Sequence, residues 1–250
     1  MVNSATLPYS LKQLRLGIMK SIWEEVATQA EKDHWTYPQY LAVLCDRELT
    51  NKDQQRITRN ITEAKLPIGK SLDTFEFGKL ASINAAQINA FADNTSWVTK
   101  AQNLIIFGPS GVGKTHLAAA IGRRLTERGM RVLFTKTTAL VQKLQLANNE
   151  NRLSDFLAKL AKYHLLILDD IGYVKKSEAE TSVLFELIAD RYEAKSLLIT
   201  SNQSFDQWDA IFPNNAMAVA AIDRLVHHST IININEQSYR RTSKINSFSK

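Results

Sequence analysis

The chain has 250 residues, of which 44% are hydrophobic and 22% are charged, an ordinary composition for a folded globular protein. No segment approaches the roughly 18 consecutive apolar residues of a transmembrane helix, and the first residues lack the basic and apolar regions of a secretory signal. These observations predict a cytoplasmic protein without a membrane span. The net charge of +6 suits a phosphate-rich partner such as nucleic acid, but charge alone leaves that partner open.

Residues 1–66 are predicted to form a helical N-terminal domain. Their apolar residues recur at three- and four-residue steps, as on one face of an α-helix: Leu11, Leu14, Ile18, Ile22, Val26, Leu41, Leu44 and Leu49. The single cysteine, Cys45, lies within this pattern; it excludes an internal disulfide, and we expect it to be a small core residue. Proline and glycine then interrupt the helical pattern, which predicts a second domain over residues 67–250.

A basic segment lies near the end of the N-terminal domain. In a helix, Lys52, Arg56 and Arg59 would share one face, because residues three and four apart are neighbours. That face is either a solvated surface or a contact for the phosphates of DNA.

The central motif of the chain is the octapeptide at residues 108–115, which has the G-x-x-x-x-G-K-T form of a phosphate-binding P-loop. Its members are Gly108, Pro109, Ser110, Gly111, Val112, Gly113, Lys114 and Thr115. In such a loop, backbone N–H groups bind phosphate, Lys114 supplies a cation for the β- and γ-phosphates, and Thr115 offers a hydroxyl to Mg²⁺. His116 follows; it is a candidate nucleotide contact, with packing or solvent contact as the alternative. The sequence therefore predicts binding of a nucleoside triphosphate with Mg²⁺.

Apolar segments alternate with amphipathic ones from residue 103 onwards. The predicted strands are 103–107, 130–134, 164–168, 196–200 and 231–234. The predicted helices are 114–129, 138–146, 153–162, 178–192 and 217–228, and a further helix over 82–95 precedes them. Near-continuous apolar strands that alternate with helices predict a parallel sheet covered on both faces, in an α/β fold.

Two carboxylates follow the third predicted strand. The apolar residues 165–168 are predicted to bury this strand and to place Asp169 and Asp170 at its carboxyl end, where ligands of α/β proteins bind. Asp169 is the candidate partner for Mg²⁺ beside Thr115. Asp170 could orient or deprotonate the attacking water.

Other polar residues lie at the ends of later elements. Asn202 follows the fourth strand and could hold the attacking water or contact the γ-phosphate; a polar strand end is the alternative. Arg224 could stabilise transition-state charge in a neighbouring subunit, or form a surface ion pair. His227 and His228 are not expected to bind zinc, because adjacent helical residues do not face each other.

These motifs, in this order, resemble the AAA+ ATPases of the helicase-loader and initiator subgroup, and more closely the IstB family of insertion-sequence helper ATPases. The resemblance covers about residues 10–241 and rests on the segments 108–117, 165–172, 184–192, 200–208, 222–228 and 238–240. It implies an AAA+ P-loop core with a five-stranded parallel sheet, preceded by a small all-α domain. No C-terminal lid domain is visible in the sequence, and Arg240 is the one late arginine that could act as a lid sensor.

The resemblance also implies roles for single residues. Asp169 would be the Walker B residue, and Asp170 would replace the usual catalytic glutamate, one methylene shorter and so compatible with slow turnover. Asn202 would be sensor 1, and Arg224 would be an arginine finger that acts in trans.

The function that the resemblance implies is regulation of DNA transposition. ATP would promote head-to-tail self-assembly on duplex DNA, bend the DNA, and recruit or stimulate a transposase, and hydrolysis would reset the complex. Lys136 and Lys143 belong to a basic region, residues 120–143, that carries six basic residues and one acid, a net charge of +5. In this subgroup, the segment after the second strand often faces a central channel, so both lysines are candidate DNA contacts.

Two other functions remain as alternatives. A replicative helicase loader of the DnaC type shares the core, but it should bind a hexameric helicase and prefer single strands. A small-molecule kinase of the P-loop class would need an acceptor pocket and an arginine-rich lid, and the sequence shows neither.

Overall fold

The computed structural model describes residues 4–79, 82–172, 177–210 and 215–235. The chain divides into two compact units, Met1–Arg59 and Asn60–Lys250. The predicted boundary, after residue 66, lies a little later in the chain. Arg240 and the rest of the predicted 238–240 segment lie outside the described residues.

Helices form the N-terminal unit. They are α1 (Leu7–Gln13), α2 (Gly17–Lys32) and α3 (Tyr37–Glu63), preceded by a short 3-10 helix (Ser4–Thr6). A small apolar core, formed by Leu11, Met19, Val26 and Leu44, holds the helices of this unit together. The described part of the unit is therefore helical, as the three- and four-residue periodicity predicts.

The outward face of α3 is more apolar than the sequence pattern suggests. Leu41 and Leu49 are 57% and 62% exposed, and Cys45 between them is also exposed. The prediction that Cys45 is a core residue is wrong. The reason is helical phase: four-residue steps place Cys45 on the face of Leu41 and Leu49, whereas the neighbouring Leu44 points into the core.

The second unit is built on one parallel sheet. In the described residues its strands are β1 (Asn103–Phe107), β2 (Val132–Lys136), β3 (Leu165–Asp169), β4 (Ser196–Ser201) and β5 (Ser229–Asn233). Their order across the sheet is β2-β3-β4-β1-β5, and every pairing is parallel. β1 therefore lies between β4 and β5, so the carboxyl ends of β1, β3 and β4 open on one edge of the sheet.

Helices cover both faces of this sheet. They are α4 (Ala85–Asp93), α5 (Ser96–Thr99), α6 (Lys114–Glu127), α7 (Thr137–Asn149), α8 (Leu153–Leu160), α9 (Glu178–Arg191) and α10 (Asn215–Val226). Successive residues of β1 enter two different cores: Leu104 and Ile106 pack on the side of α6, and Ile105 and Phe107 on the side of α9. This two-sided burial explains why the strands are apolar throughout, and it confirms the predicted α/β class.

The predicted elements differ from the structure mainly at their ends. β2 begins at Val132, two residues after the predicted start, and α10 ends at Val226, so His227 and His228 lie in the turn before β5. Among the described residues, each helix is too short or too polar to cross a lipid bilayer.

A buried arginine fastens the start of two strands. Arg191, at the end of α9, is 1% exposed and donates hydrogen bonds to the carbonyls of Leu160, Tyr163, His164 and Ser196 at 2.8–3.3 Å. Burial lowers the pKa of its guanidinium to about 9. Arg191 therefore links the end of α8 to the starts of β3 and β4, at the end of the sheet opposite the P-loop.

Candidate nucleotide-binding and hydrolysis site

Glycines determine the shape of the P-loop. Gly108 has a φ of +152°, and a Cβ at this position would lie 2.6 Å from the carbonyl oxygen of Ile234. Gly113 caps α6 in the left-handed conformation, with φ at +101°, and a Cβ there would lie 3.1 Å from the ring of Phe75. Other residues would therefore be strained or would clash at both positions, so the loop requires glycine for its path.

The lysine of the motif is held inside the loop. Lys114 is the first residue of α6, is 8% exposed, and donates hydrogen bonds to the carbonyls of Gly108 and Pro109, both at 2.8 Å. The ammonium group thus lies against the backbone whose N–H groups are predicted to bind phosphate. The loop also opens at the amino end of α6, where the helix dipole and the first N–H groups of the helix favour an anion.

Asp169 is the centre of a buried hydrogen-bond network. Its side-chain Oδ1 accepts hydrogen bonds from the hydroxyls of Thr115 at 2.9 Å and Thr200 at 2.7 Å. Its own carbonyl accepts a hydrogen bond from Thr137 at 3.0 Å. The structure therefore brings Thr115 and Asp169 together, and a hydroxyl beside a carboxylate is a set of hard oxygen donors that fits Mg²⁺.

Asp170 adopts an unusual backbone conformation at the end of β3. Its φ of +66° lies in the left-handed region, which aspartate tolerates better than most residues. Its N–H donates to the hydroxyl of Thr200 at 2.8 Å, and the N–H of Ile171 donates to the carbonyl of Thr200 at 3.0 Å. These bonds turn the chain away from the sheet immediately after Asp169.

Thr200 is a site residue that sequence reasoning missed. Its side chain is buried and its hydroxyl contacts both carboxylate residues, donating to Asp169 and accepting from the N–H of Asp170. The available signal is a hydroxyl near the end of an apolar strand, but a sequence pattern does not show which polar group that hydroxyl contacts.

Asn202 follows β4 and lies beside the loop after β3. A Cβ on Gly172 would be 3.2 Å from the Oδ1 atom of Asn202, so the two segments are in close approach. The N–H of Gly108 donates to the carbonyl of Ser201 at 3.2 Å, which ties the P-loop to the strand that carries Asn202. The predicted water-positioning role of Asn202 stays a prediction.

His116 is directed at the segment that precedes the core. Its Nε2 atom lies 2.9 Å from the carbonyl oxygen of Ser71 and 3.2 Å from the hydroxyl of Thr74, and its ring meets Phe75 edge-on. Burial lowers the pKa of this imidazole, which favours the neutral ring. Phe75 is itself buried against Phe77, so this aromatic packs in the core. A nucleotide contact by His116 stays a prediction.

Arg224 is held on α10 by contacts within its own unit. Its guanidinium lies 5.0 Å from the ring centroid of Phe185 on α9, and it donates to the carbonyl of Ala220 at 3.1 Å. A cation over an aromatic face is orienting as well as stabilising. The predicted action in a neighbouring subunit stays a prediction.

The rings of the paired histidines lie close together, although the sequence predicts that they do not face each other. The ring centroids of His227 and His228 are 4.1 Å apart, because both residues lie beyond the end of α10. His228 pairs with Glu193 at 3.6 Å, and His227 shares a hydrogen bond with Tyr192 at 3.0 Å. The premise that they cannot face each other is therefore wrong. All three potential ligands are exposed and already have these partners, and we assign no metal to them.

The five predicted DNA contacts are all exposed, on two units. Lys52, Arg56 and Arg59 lie on α3, Lys136 ends β2, and Lys143 lies on α7. Arg56 forms an ion pair with Asp53 at 3.2 Å on the same helix.

Much of the predicted +5 charge of the region 120–143 is neutralised locally. Arg124 and Arg128 both bind the carboxylate of Asp93, and the hydrogen bond from Arg128 is the main reason that the pKa of Asp93 is lowered. Arg131 pairs with Glu63 at 3.1 Å and stacks on a tyrosine ring. The remaining cations of this region are Lys136 and Lys143, which are exposed, and Arg123, which is half-buried.

The chain is similar over nearly its whole length to ATP-binding proteins of insertion sequences. The family described as IstB-like ATP binding protein matches residues 9–247. An insertion-sequence ATP-binding protein of Sinorhizobium fredii (y4iQ/y4nD/y4sD) is 50% identical over 97% of this chain and 81% of its own length. The ATP-binding protein of insertion sequence IS21 from Pseudomonas aeruginosa is 36% identical over 94% of this chain and 88% of its own.

Solved structures share the fold of the described sheet and helices. The DnaC helicase loader matches with a TM-score of 0.59 and 26% identity over 67% of this chain and 97% of its own. AMPPCP-bound DnaA from Aquifex aeolicus matches with a TM-score of 0.56 and 20% identity over 74% of this chain and 57% of its own. These similarities confirm the predicted AAA+ P-loop fold. With nearly its whole length matched, the chain belongs to the IstB-like family of ATP-binding proteins.

Proposed function

We propose that this protein is an ATPase that regulates DNA transposition. In this proposal ATP promotes head-to-tail self-assembly on duplex DNA, the assembly bends the DNA and recruits or stimulates a transposase, and hydrolysis to ADP and phosphate resets it. The observation that carries the ATPase part is the bonded cluster of Thr115, Asp169 and Thr200 beside the P-loop. The transposition part rests on the insertion-sequence relatives.

The proposed chemistry gives each of the site residues one role. P-loop N–H groups and Lys114 bind the phosphates, and Thr115 and Asp169 would hold Mg²⁺, which neutralises phosphate charge when bound. Asp170 orients the attacking water and accepts its proton, so that the hydroxyl oxygen bonds to the γ-phosphorus as the bond to ADP breaks. Asn202, beside the same loop, holds that water in line. Hydrolysis thus needs positioning and electrostatics more than covalent chemistry by the protein.

A second subunit completes the site in this proposal. Arg224 stabilises the charge that develops on the γ-phosphate of a neighbour, as arginine fingers do. Each subunit then contributes a P-loop to one joint and an arginine to the next, which gives head-to-tail order. ATP binding therefore stabilises the assembly, and hydrolysis weakens it.

The DNA contacts are electrostatic and largely independent of sequence. Cations of both units contact phosphate oxygens: Lys52, Arg56 and Arg59 in the N-terminal unit, and Lys136 and Lys143 in the second unit. Such contacts release counterions, so the affinity falls steeply as the salt concentration rises.

The test is nucleotide-dependent assembly. Retention of random-sequence duplex on filters, with ATP or without nucleotide at low salt, should show binding that ATP stimulates, and micrographs of the same mixture should show oligomers on DNA. Absence of ATP-stimulated duplex binding would refute the assembly proposal. A phosphate-release assay on the same preparation tests hydrolysis separately.

A replicative helicase loader of the DnaC type is the second candidate. The similarity to the DnaC structure, which this chain covers over 97% of its length, favours it. A loader should retain a hexameric helicase in a pull-down and prefer single-stranded over duplex DNA. Binding to duplex and to a transposase, without the helicase, favours the first function.

A further inference from the structure

We propose that the N-terminal unit carries a phosphate-binding cleft, formed by Lys12, Arg15, Lys20 and Lys52, that binds the backbone of nucleic acid. The proposal rests on the DNA binding of the proposed function and names a specific site for it. It differs from the predicted contact face on α3, because it groups Lys52 with cations from the first two helices.

The cleft is formed where three segments of the unit meet. It has a volume of about 400 Å³, and its cations come from α1 (Lys12), the turn after it (Arg15), α2 (Lys20) and α3 (Lys52). This volume lies within the range of ligand pockets in proteins. All four cationic side chains reach the surface, so an extended polyanion has access to them.

The charge of the cleft is strongly unbalanced. Among the residues that line the described cleft, Glu48 is the one acid, and it is buried. Its Oε2 atom accepts hydrogen bonds from the N–H groups of Ile18 at 2.8 Å and Met19 at 3.0 Å, and its Oε1 atom lies 3.7 Å from Nζ of Lys52. Glu48 thus accepts hydrogen bonds from N–H groups in the first turn of α2. Four cations face one carboxylate, a surplus of three positive charges, so a ligand would be bound by the cationic side chains.

Arg15 occupies a turn position that favours glycine. Its φ is +57°, in the left-handed region. The N–H of Arg15 donates to the carbonyl of Lys12 at 3.0 Å and that of Leu16 to Leu11 at 2.9 Å, the hydrogen bonds of a Schellman helix end. Glycine is the residue that this position favours, because a side chain is strained there. The chain instead has a guanidinium, directed to a cleft that already holds three ammonium groups.

Phosphodiester groups fit this lining better than a free nucleotide does. Guanidinium and ammonium groups are the usual protein ligands of phosphate. The other lining residues are Leu16, Gly17, Asn51 and Gln55, so the described cleft has no aromatic ring on which a base could stack. The site therefore recognises a row of phosphates and carries no information about base sequence.

The experiment compares full-length variants by fluorescence anisotropy on a random-sequence duplex, with ATP, over a series of KCl concentrations. The triple variant Lys12→Gln, Arg15→Gly, Lys20→Gln should bind at least about tenfold more weakly. Its slope of log affinity against log salt should become shallower by about 0.9 for each phosphate that the variant no longer neutralises, up to about 2.7. Lys52 is left intact because it pairs with Glu48. Arg47→Ala, an exposed cation on α3 outside the cleft, is the matched control.

Arg15→Gly alone separates a binding role from a structural one. Because glycine fits the left-handed turn, this variant should raise Tm by about 2–4 °C while it weakens duplex binding and lowers the salt slope. A structural role for Arg15 would instead lower Tm. A higher Tm together with a lower affinity for duplex DNA supports the proposal that Arg15 binds phosphate in the cleft.

Three outcomes overturn the proposal, and they differ from one another. If the wild type binds duplex and the triple variant binds it with equal affinity and slope, the cleft is refuted while the proposed function stands. If the wild type itself fails to bind duplex at low salt, the proposed function fails and the cleft fails with it. If the triple variant loses binding to phosphatidylglycerol vesicles but keeps its duplex binding, the cleft serves a membrane surface instead.

Discussion

In the second unit, Asp169 is 5% exposed and its carboxylate receives hydrogen bonds from two hydroxyls, whereas in the N-terminal unit four cations face a cleft with one carboxylate. In the first site the polar groups hydrogen-bond to one another, so they are already oriented before a ligand binds. In the cleft, the positive charges of the four cations repel one another, and a bound anion would relieve this repulsion. The groups around Asp169 are thus held in fixed positions, whereas the cleft offers an excess of positive charge to an anionic ligand.

The largest effect expected in this comparison concerns Asp170. Asp170→Asn preserves the size of the side chain but removes its ability to accept a proton, so we expect ATP turnover to fall by up to about 10⁴-fold. ATP affinity and assembly on duplex DNA should persist, because the phosphate-binding groups are unchanged. Phosphate release and nucleotide titration measure the two properties. Asp155→Asn, an exposed carboxylate on α8, is the control, and unchanged turnover in Asp170→Asn would refute the base assignment.

The next effect tests whether the proposed hydrolysis site is complete in one subunit. Arg224→Ala should lower turnover of the assembly by about 10³-fold and leave the ATP affinity of the monomer unchanged. A mixture of Arg224→Ala with Asp170→Asn should regain activity, since the first supplies an intact hydrolysis site and the second supplies the arginine. Failure of the mixture to exceed either variant alone would argue against action in trans.

A smaller effect is expected from the network itself. Thr200→Val keeps the shape of the side chain but leaves the N–H of Asp170 without its hydroxyl acceptor, at a cost of about 1–3 kcal/mol. We expect kcat to fall about tenfold with KM nearly unchanged, because Asp170 loses its fixed backbone conformation. Thr200→Ser, which keeps the hydroxyl, should restore turnover. Equal kcat in the valine and serine variants would show that the network does not position Asp170.

The smallest effect lies on the outward face of α3. Cys45→Ser should change the free energy of unfolding by less than about 0.5 kcal/mol, because the side chain is exposed. Its neighbour Leu44 is buried, and Leu44→Ala should cost about 2–5 kcal/mol. Denaturant unfolding of the two variants compares the faces directly. A destabilisation of more than about 1 kcal/mol in Cys45→Ser would mean that this face is covered in the folded protein.

The two regions also differ in how far the sequence predicts them. β1 begins and ends at the predicted residues, and Thr115 contacts Asp169 as expected, because a P-loop and a buried strand that ends in carboxylates are local patterns. The role of Thr200 is not predictable in this way, because it depends on the order of strands, which places β4 between β3 and β1. A local pattern does not encode that neighbour relation.

Prediction is weaker still for the N-terminal unit. The cations of the cleft come from residues 12 to 52 and meet only because three helical segments pack together. The pattern Lys52, Arg56, Arg59 is visible in the sequence, but it describes one helix face and not a site. The prediction for Cys45 is wrong for a related reason: α3 carries apolar residues on both sides, so periodicity alone does not fix which side is inward.

The contact between Gly108 and Ile234 connects the P-loop to the segment that follows β5. The first glycine of the P-loop packs directly against the backbone that leaves β5, and the N–H of Ile234 donates to the carbonyl of Phe107 at 2.9 Å. β5 in turn follows the turn after α10, the helix that carries Arg224. In the proposed assembly, a short path therefore connects the phosphate loop of a subunit to the arginine that it would offer its neighbour. In the proposed head-to-tail assembly, such a path would let the nucleotide state of one joint alter the next, so that hydrolysis would pass from subunit to subunit in sequence.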